Sequence, residues 1–400
     1  MSEIEKKRQA ELLKILHYIQ SGGDFTTAKR MFRDSFDKVD VSEITAAERE
    51  LIAQGLDPRE IQYLCNVHAD MFKGNIKENS ENPDFSIPGH PVNTLKLENL
   101  VIKSLINDAL LPDLKKYQEG QKDILGKIIS ELKDLSTIDK HYRRKETSLF
   151  PLMTKYGITA PPKVMWGVDD KIRNLISQSL LDAESKSVNL KKLENSIQQT
   201  SHEVLEMIFK EEKIMIPMID EVANQRDWFH VKQEEEQIGY TLIQKPMNWK
   251  PNLPDEDKKA QSMSGLTSLV VNFKEGALNL EQLNAILDML PFAITFVDEN
   301  DIVKYFGGGA SIFPHSSNAI GNNVLSCHLP ESEKVVKKVL DDLRLGIKDK
   351  YEFWFEPKML GRYVYLQYIA VKNKNGKYLG CLEVAQDITD IRKIEKEKKK

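Results

Sequence analysis

Long apolar runs, cysteine and any excess of basic charge are what this 400-residue chain lacks. No stretch approaches the roughly 18 uncharged apolar residues that a membrane span needs. The opening MSEIEKKRQAELLKILHYI carries charges where a secretion signal needs an apolar core. A cytoplasmic chain is expected. The three cysteines, Cys65, Cys327 and Cys381, are scattered and odd in number, which fits a reducing compartment and not a disulfide framework. Lys and Arg number 57 against 61 Asp and Glu, a formal net charge of -4, so nucleic acid is not the expected partner. The basic tail IRKIEKEKKK from Ile391 reads as a solvated helix end, with at most peripheral contact to an anionic membrane. Gly307-Gly308-Gly309 lacks the G-x-G-x-x-G or P-loop spacing that cradles phosphate. No Ser-His-Asp set or kinase signature is recognisable, and the chain is read as a non-enzyme.

What is present is ordinary for a folding chain: 40% hydrophobic and 30% charged residues. At roughly 150 residues per domain the length suggests two or three domains, and three are read. Residues 1–82 carry short helical patterns. The loop ENPDFSIPGHP then introduces four long amphipathic patterns, at about 91–117, 119–154, 162–184 and 189–224, which read as a four-helix bundle within 83–236. Pro161-Pro162 opens the third. Residues 237–269, with three prolines, many charges and no period, read as a linker. From 270 to 400 the pattern becomes strand-strand, helix, three strands, with Asn375-Gly376 as a hairpin turn, which is an α+β domain.

The bundle contains a faded repeat. HYRRKETSLFPLM at 141–153 aligns with MIFKEEKIMIPMI at 207–219, but the slot of His141 holds Met207. At about 100° per residue, His141 lies inside the edge of its apolar stripe, Lys145 lies near the centre and Glu146 on the opposite flank. Met207 and Glu211 lie on the second stripe, and His202 points away. An ammonium or a carboxylate on an inner face demands a partner, so Lys145 and Glu211 need explaining.

These residues carry a resemblance. Residues 90 to 230 resemble the hemerythrin-like, HHE cation-binding family, whose four-helix bundles hold non-haem iron through histidines and bridging carboxylates. Leu149-Phe150-Pro151 and Met215-Ile216-Pro217 match the family's LFP-like tripeptide. GHPVNTL, with His90, resembles the first helix that supplies a lone histidine, and Asp169 and Asp170 stand where another histidine belongs. The departures are complementary: the first copy keeps His141 but has Lys145 in the glutamate slot, and the second keeps Glu211 but loses the imidazole. A full diiron site is not expected. Two readings stay open. His90, His141 and Glu211, helped by Glu146 or Asp169, hold a single non-haem iron or similar ion; or the Lys145 ammonium pairs with Glu211 where a metal would have been.

Residues 270 to 395 resemble a PAS sensor domain, through LNAILDMLPFAITFVDENDIVKYF, IGNNVLSCHLPESEKVV and the block closing on Asp387-Ile388-Thr389. That resemblance implies small-molecule binding, haem or flavin in some members, or dimerisation and signal relay. The flavin-adduct cysteine motif of light-sensing members is absent, and Cys327-His328 reads as a strand end before a helix opened by Pro330. Residues 1 to 80 resemble a helical domain of unknown function found ahead of such segments in bacterial proteins. Cys65 and His68 are too few for a metal site unless His17 joins them, and read as a buried cysteine beside a capping or surface histidine. The expectation is a multidomain sensory protein, all-α and then α+β, relaying oxygen, nitric oxide, redox or metal status to a protein partner, with a homodimer through the PAS domain as an option. The rivals are a non-haem iron protein of nitric oxide or oxygen handling or iron-centre repair, and a metal-free scaffold.

Overall fold

Proline and asparagine decide where the helices begin. The computed structural model describes residues 3–20, 25–36, 82–251, 270–309, 312–313, 316–328, 330–356 and 361–394. The chain divides into two units, Met1–Lys250 and Pro251–Lys400.

In the first unit, α1 (Glu3–Gln20) and α2 (Phe25–Ser35) bury Ile15, Ala28, Phe32 and the adjoining Phe36. Cys65 and His68 lie outside the described residues. Four long helices follow: α3 (91–118), α4 (125–155), α5 (Ala160–Ala183) and α6 (190–220). Pro91 occupies the first turn of α3, and Pro161 and Pro162 that of α5, where their missing N–H groups cost nothing. The Asn189 side chain caps α6 by accepting from the Lys192 amide. Ile102, Ile106, Leu132, Leu135, Ile172, Ile176, Leu193 and Ile197 meet in one core cluster. At about 1.5–3 kcal/mol per buried side chain, this burial, and not helix propensity, holds the bundle.

Three of the four helices contain a widened π turn, at Leu105–Leu110, Lys145–Leu149 and Glu211–Met215. Each is followed two residues later by proline: Pro112, Pro151 and Pro217. Proline cannot donate to the carbonyl four residues back, and its ring collides with that carbonyl, so the backbone opens by one residue there. The tripeptides Leu110-Leu111-Pro112, Leu149-Phe150-Pro151 and Met215-Ile216-Pro217 are three copies of one device, and the sequence repeat extends to α3.

A fifth helix, α7 (Gln225–Ile238), opens on a capping box between Asn224 and Asp227. The linker expected over 237–269 starts later than its composition suggests, because residues 239–249 pack back on the bundle. Trp249 is buried, the Thr241 hydroxyl donates to Thr137 O (2.6 Å), and Gly89, at φ +87, leaves no room for a Cβ against the Met247 carbonyl. Prolines and charges made this strap look solvated; its apolar anchors are Trp249 and the partly buried Leu242.

The second unit begins with a short hairpin, β1 (Val270–Asn272) and β2 (Ala277–Asn279), and α8 (Leu280–Asp288). Then come β3 (Ala293–Asp298), β4 (Val303–Gly307), α9 (Pro330–Arg344), β5 (Lys350–Phe355), β6 (Val364–Lys372) and β7 (Tyr378–Asp387). The five long strands form an antiparallel sheet in the order β4-β3-β7-β6-β5. The turn between β6 and β7 uses Gly376 at φ +78, as Asn375-Gly376 requires. Gly308, at φ +98, lies so close to the Phe292 carbonyl that a Cβ there would strike it. Cys327 ends a 3-10 turn, Val324–Cys327, where a strand end was expected.

Candidate functional site

The π turns of α4 and α6 bring Lys145 and Glu211, the first residue of each, into one buried site. The Lys145 ammonium, 0% exposed, donates to Glu211 Oε1 at 2.5 Å and to Asp169 Oδ1 of α5 at 2.8 Å. It also lies 4.3 Å from the centre of the Tyr142 ring. His141, one turn earlier on α4, presents Nε2 to Glu211 Oε2 at 3.1 Å and Nδ1 to Glu98 Oε2 of α3 at 2.7 Å. Carboxylates face both ring nitrogens, which makes both of them N–H donors. Glu98 also accepts from Arg144 and, at 2.6 Å, from the Thr241 amide of the strap. Arg144 in turn donates to Gly239 O at 2.7 Å.

Three cations, His141, Arg144 and Lys145, thus meet three carboxyls, Glu98, Glu211 and Asp169, inside the bundle. Burial alone would lower the His141 pKa, but Glu211 and Glu98 outweigh it and hold the imidazolium up to about 9. Burial would raise Glu211, yet Lys145 and His141 hold it down at about 2. Glu98 is likewise held low against burial, by His141 and Arg144. Burial pushes Asp169 well above the usual carboxylate range, and Lys145 draws it only partly back. Burial also opposes the charge on Lys145, but Asp169 and Glu211 raise it overall.

Two of the five expected ligands do not join. His90 is the N-cap of α3: its Nδ1 accepts from the Val92 amide at 3.1 Å, and its ring sits among Phe85, Trp228 and Trp249. Eight residues, or about 12 Å of helix, separate it from Glu98. Burial lowers its pKa to about 4. Glu146 is buried but turned to Arg173, which holds both of its oxygens at 2.8 and 3.0 Å. Burial raises Glu146, and Arg173 only moderates this. His202 is exposed, as the wheel places it. Glu98 escaped sequence reading because its partners lie 43, 46 and 143 residues away. A carboxylate on an apolar helix face, in LKLENLVI, was the available signal.

This constellation does not fit a metal ion. Among the described residues, no group of three or more His, Cys, Asp or Glu side chains is arranged to hold one. His141 has no lone pair to offer, and an ammonium fills the space between Glu211 and Asp169.

In the second unit, the inner sheet face carries a polar row among apolar ones. Thr295 of β3 pairs with Glu383 of β7, which pairs with Tyr368 of β6. Ala385 and Leu366 flank the row on one side, Cys381 and Ala370 on the other. Burial raises the Glu383 carboxyl to about 7, with Tyr368 pulling the other way. Burial likewise pushes the Cys327 thiol up to about 11, so it is no ready thiolate ligand.

The profile of a family of unknown function, DUF438, matches residues 12–78; that of the hemerythrin HHE cation binding domain matches 90–219; and that of a PAS domain matches 283–389. The curated proteins hold no match. A crystal structure of a C-terminal domain from Streptococcus mutans is 37% identical, covering 32% of this chain and 98% of that one, with a TM-score of 0.31. A PAS domain from Colwellia psychrerythraea is 19% identical over 28% of this chain and 98% of that one (TM-score 0.23). A sensory box sensor histidine kinase from Vibrio cholerae is 20% identical over 34% and 98% (TM-score 0.21). The chain thus carries a DUF438 segment, a hemerythrin HHE domain and a PAS domain, in that order.

Proposed function

We propose that this is a sensory and regulatory protein, not an enzyme, whose PAS domain takes a small-molecule or redox signal and whose bundle passes it to a protein partner by contact. One observation carries the relay: the strap that leaves the bundle toward the PAS domain is bonded to Glu98, the same carboxylate that holds His141. A change in the ionic site therefore changes the hold on the strap, and a pull on the strap changes the site. The row of Thr295, Glu383 and Tyr368 supports an interior that recognises a ligand, since a few polar groups on an otherwise apolar wall are what orients a small molecule in a pocket. The oxygen, nitric oxide or iron-repair reading needs a redox metal with an open position, and the ammonium between Glu211 and Asp169 argues against it.

Hydrogen exchange on the full chain tests the relay. In Glu98→Gln, faster exchange is expected over residues 239–249, together with altered exchange within 283–389. Loosening of the strap with no change in 283–389 would remove the relay.

A further inference from the structure

We infer that the Lys145 ammonium is the resident cation of this bundle: it takes, within the chain, the place a metal ion has in a cation-binding bundle, and the domain folds without metal. Four observations converge. The ammonium is wholly buried, and carboxyl oxygens from α5 and α6 meet on it, at 2.8 and 2.5 Å. The Tyr142 ring closes another side at 4.3 Å. Both nitrogens of His141 are spent on carboxylates. The slot for a second imidazole holds Met207, fully buried and without a nitrogen to give. A metal ion on the Glu211 and Asp169 oxygens would meet the ammonium at contact distance in a core of low dielectric, where like charges repel most strongly.

The substitution explains both departures of the repeat together. Once a lysine supplies the positive charge, the carboxylate of the second copy is still needed and its histidine is not. It also makes the site reversible by design. Without the ammonium, Glu211 and Asp169 remain as oxygen donors, and His141 becomes a nitrogen donor once an incoming divalent ion displaces its Nε2 proton. The inference does not depend on the relay.

The test uses the full chain, purified from metal-replete cells, with Co(II) as probe. Wild type is expected to carry no stoichiometric metal and to melt at the same temperature with Co(II), with chelator or with neither. Lys145→Gln is expected to melt lower, to recover with Co(II), and to develop the visible absorption of bound Co(II). A folded Lys145→Gln that ignores Co(II) would overturn the inference. So would a wild type that holds about one metal per chain and releases it in His141→Ala. Should Lys145→Gln fail to fold, the wild type decides alone: melting lowered by chelator overturns the inference, and unchanged melting of a metal-free chain upholds it.

Discussion

His141 shows how far a neighbourhood can move one side chain. Its folded pKa of about 9 lies above the ordinary 6.5, so its contribution is complete below about pH 6.5 and is lost as pH rises through about 9. Glu211 runs the other way: held at about 2, it contributes fully above about pH 4.5 and loses this as pH falls toward 2. The pair therefore supports the bundle best between those limits. Between pH 6.5 and 9.5 the wild type is expected to lose on the order of 3 kcal/mol that His141→Gln does not lose. Urea unfolding at several pH values measures this; parallel slopes in the two proteins would show that the imidazolium is not the titrating group. Helical period put His141 and Glu211 on inner stripes and the family resemblance put Asp169 beside them; the three do meet, around the Lys145 ammonium. His90 was misplaced, because a histidine that caps a helix and one that binds a metal look alike until the Val92 amide is seen to donate to it.

At the scale of elements, helices α3 to α6 were legible from period and proline, and the β6–β7 hairpin from Asn375-Gly376. The π turns were not read, although the apolar-apolar-proline triplets that cause them were visible. An extra residue in a turn moves every later side chain by about 100° around the helix, so these turns re-aim the residues after Lys145 and Glu211 and leave these two on the stripes the wheel gives. Proline in the interior of a regular α-helix costs about 3 kcal/mol relative to alanine. At Pro151 that cost is already relieved by the widened turn of Lys145–Leu149. Pro151→Ala is therefore expected to change stability by less than about 1 kcal/mol. A gain near 3 kcal/mol in urea unfolding would mean that the turn is strained and that Lys145 is held against its backbone. The strap was missed for another reason: its hold depends on the Gly239 carbonyl, the Thr241 amide and hydroxyl, Leu242 and Trp249, and backbone groups leave no mark in composition. Trp249→Ala is expected to cost roughly 3–5 kcal/mol, and to speed proteolysis within 239–249 without altering the far-ultraviolet circular dichroism of the helices.

For the whole molecule, the division at Lys250 predicts two cooperative blocks with different pH responses. The bundle block carries His141, whose contribution fades between pH 6.5 and 9. The PAS block carries Glu383, whose carboxyl is raised to about 7 by burial. A raised carboxyl contributes fully below its unfolded value, near 4.5, and loses that contribution as pH rises through the folded value. The PAS transition is thus expected to weaken already between pH 4.5 and 7, where the His141 contribution is still largely intact. Differential scanning calorimetry of the full chain from pH 5 to 9 is expected to resolve two transitions, the PAS one weakening through the Glu383 window and the bundle one through the His141 window on top of what its raised carboxyls Asp169 and Glu146 lose. Glu383→Gln should flatten the lower window alone, and His141→Gln the upper one alone. If either substitution moves both transitions, the blocks exchange free energy, and the size of the second shift measures the coupling that a relay through the strap requires.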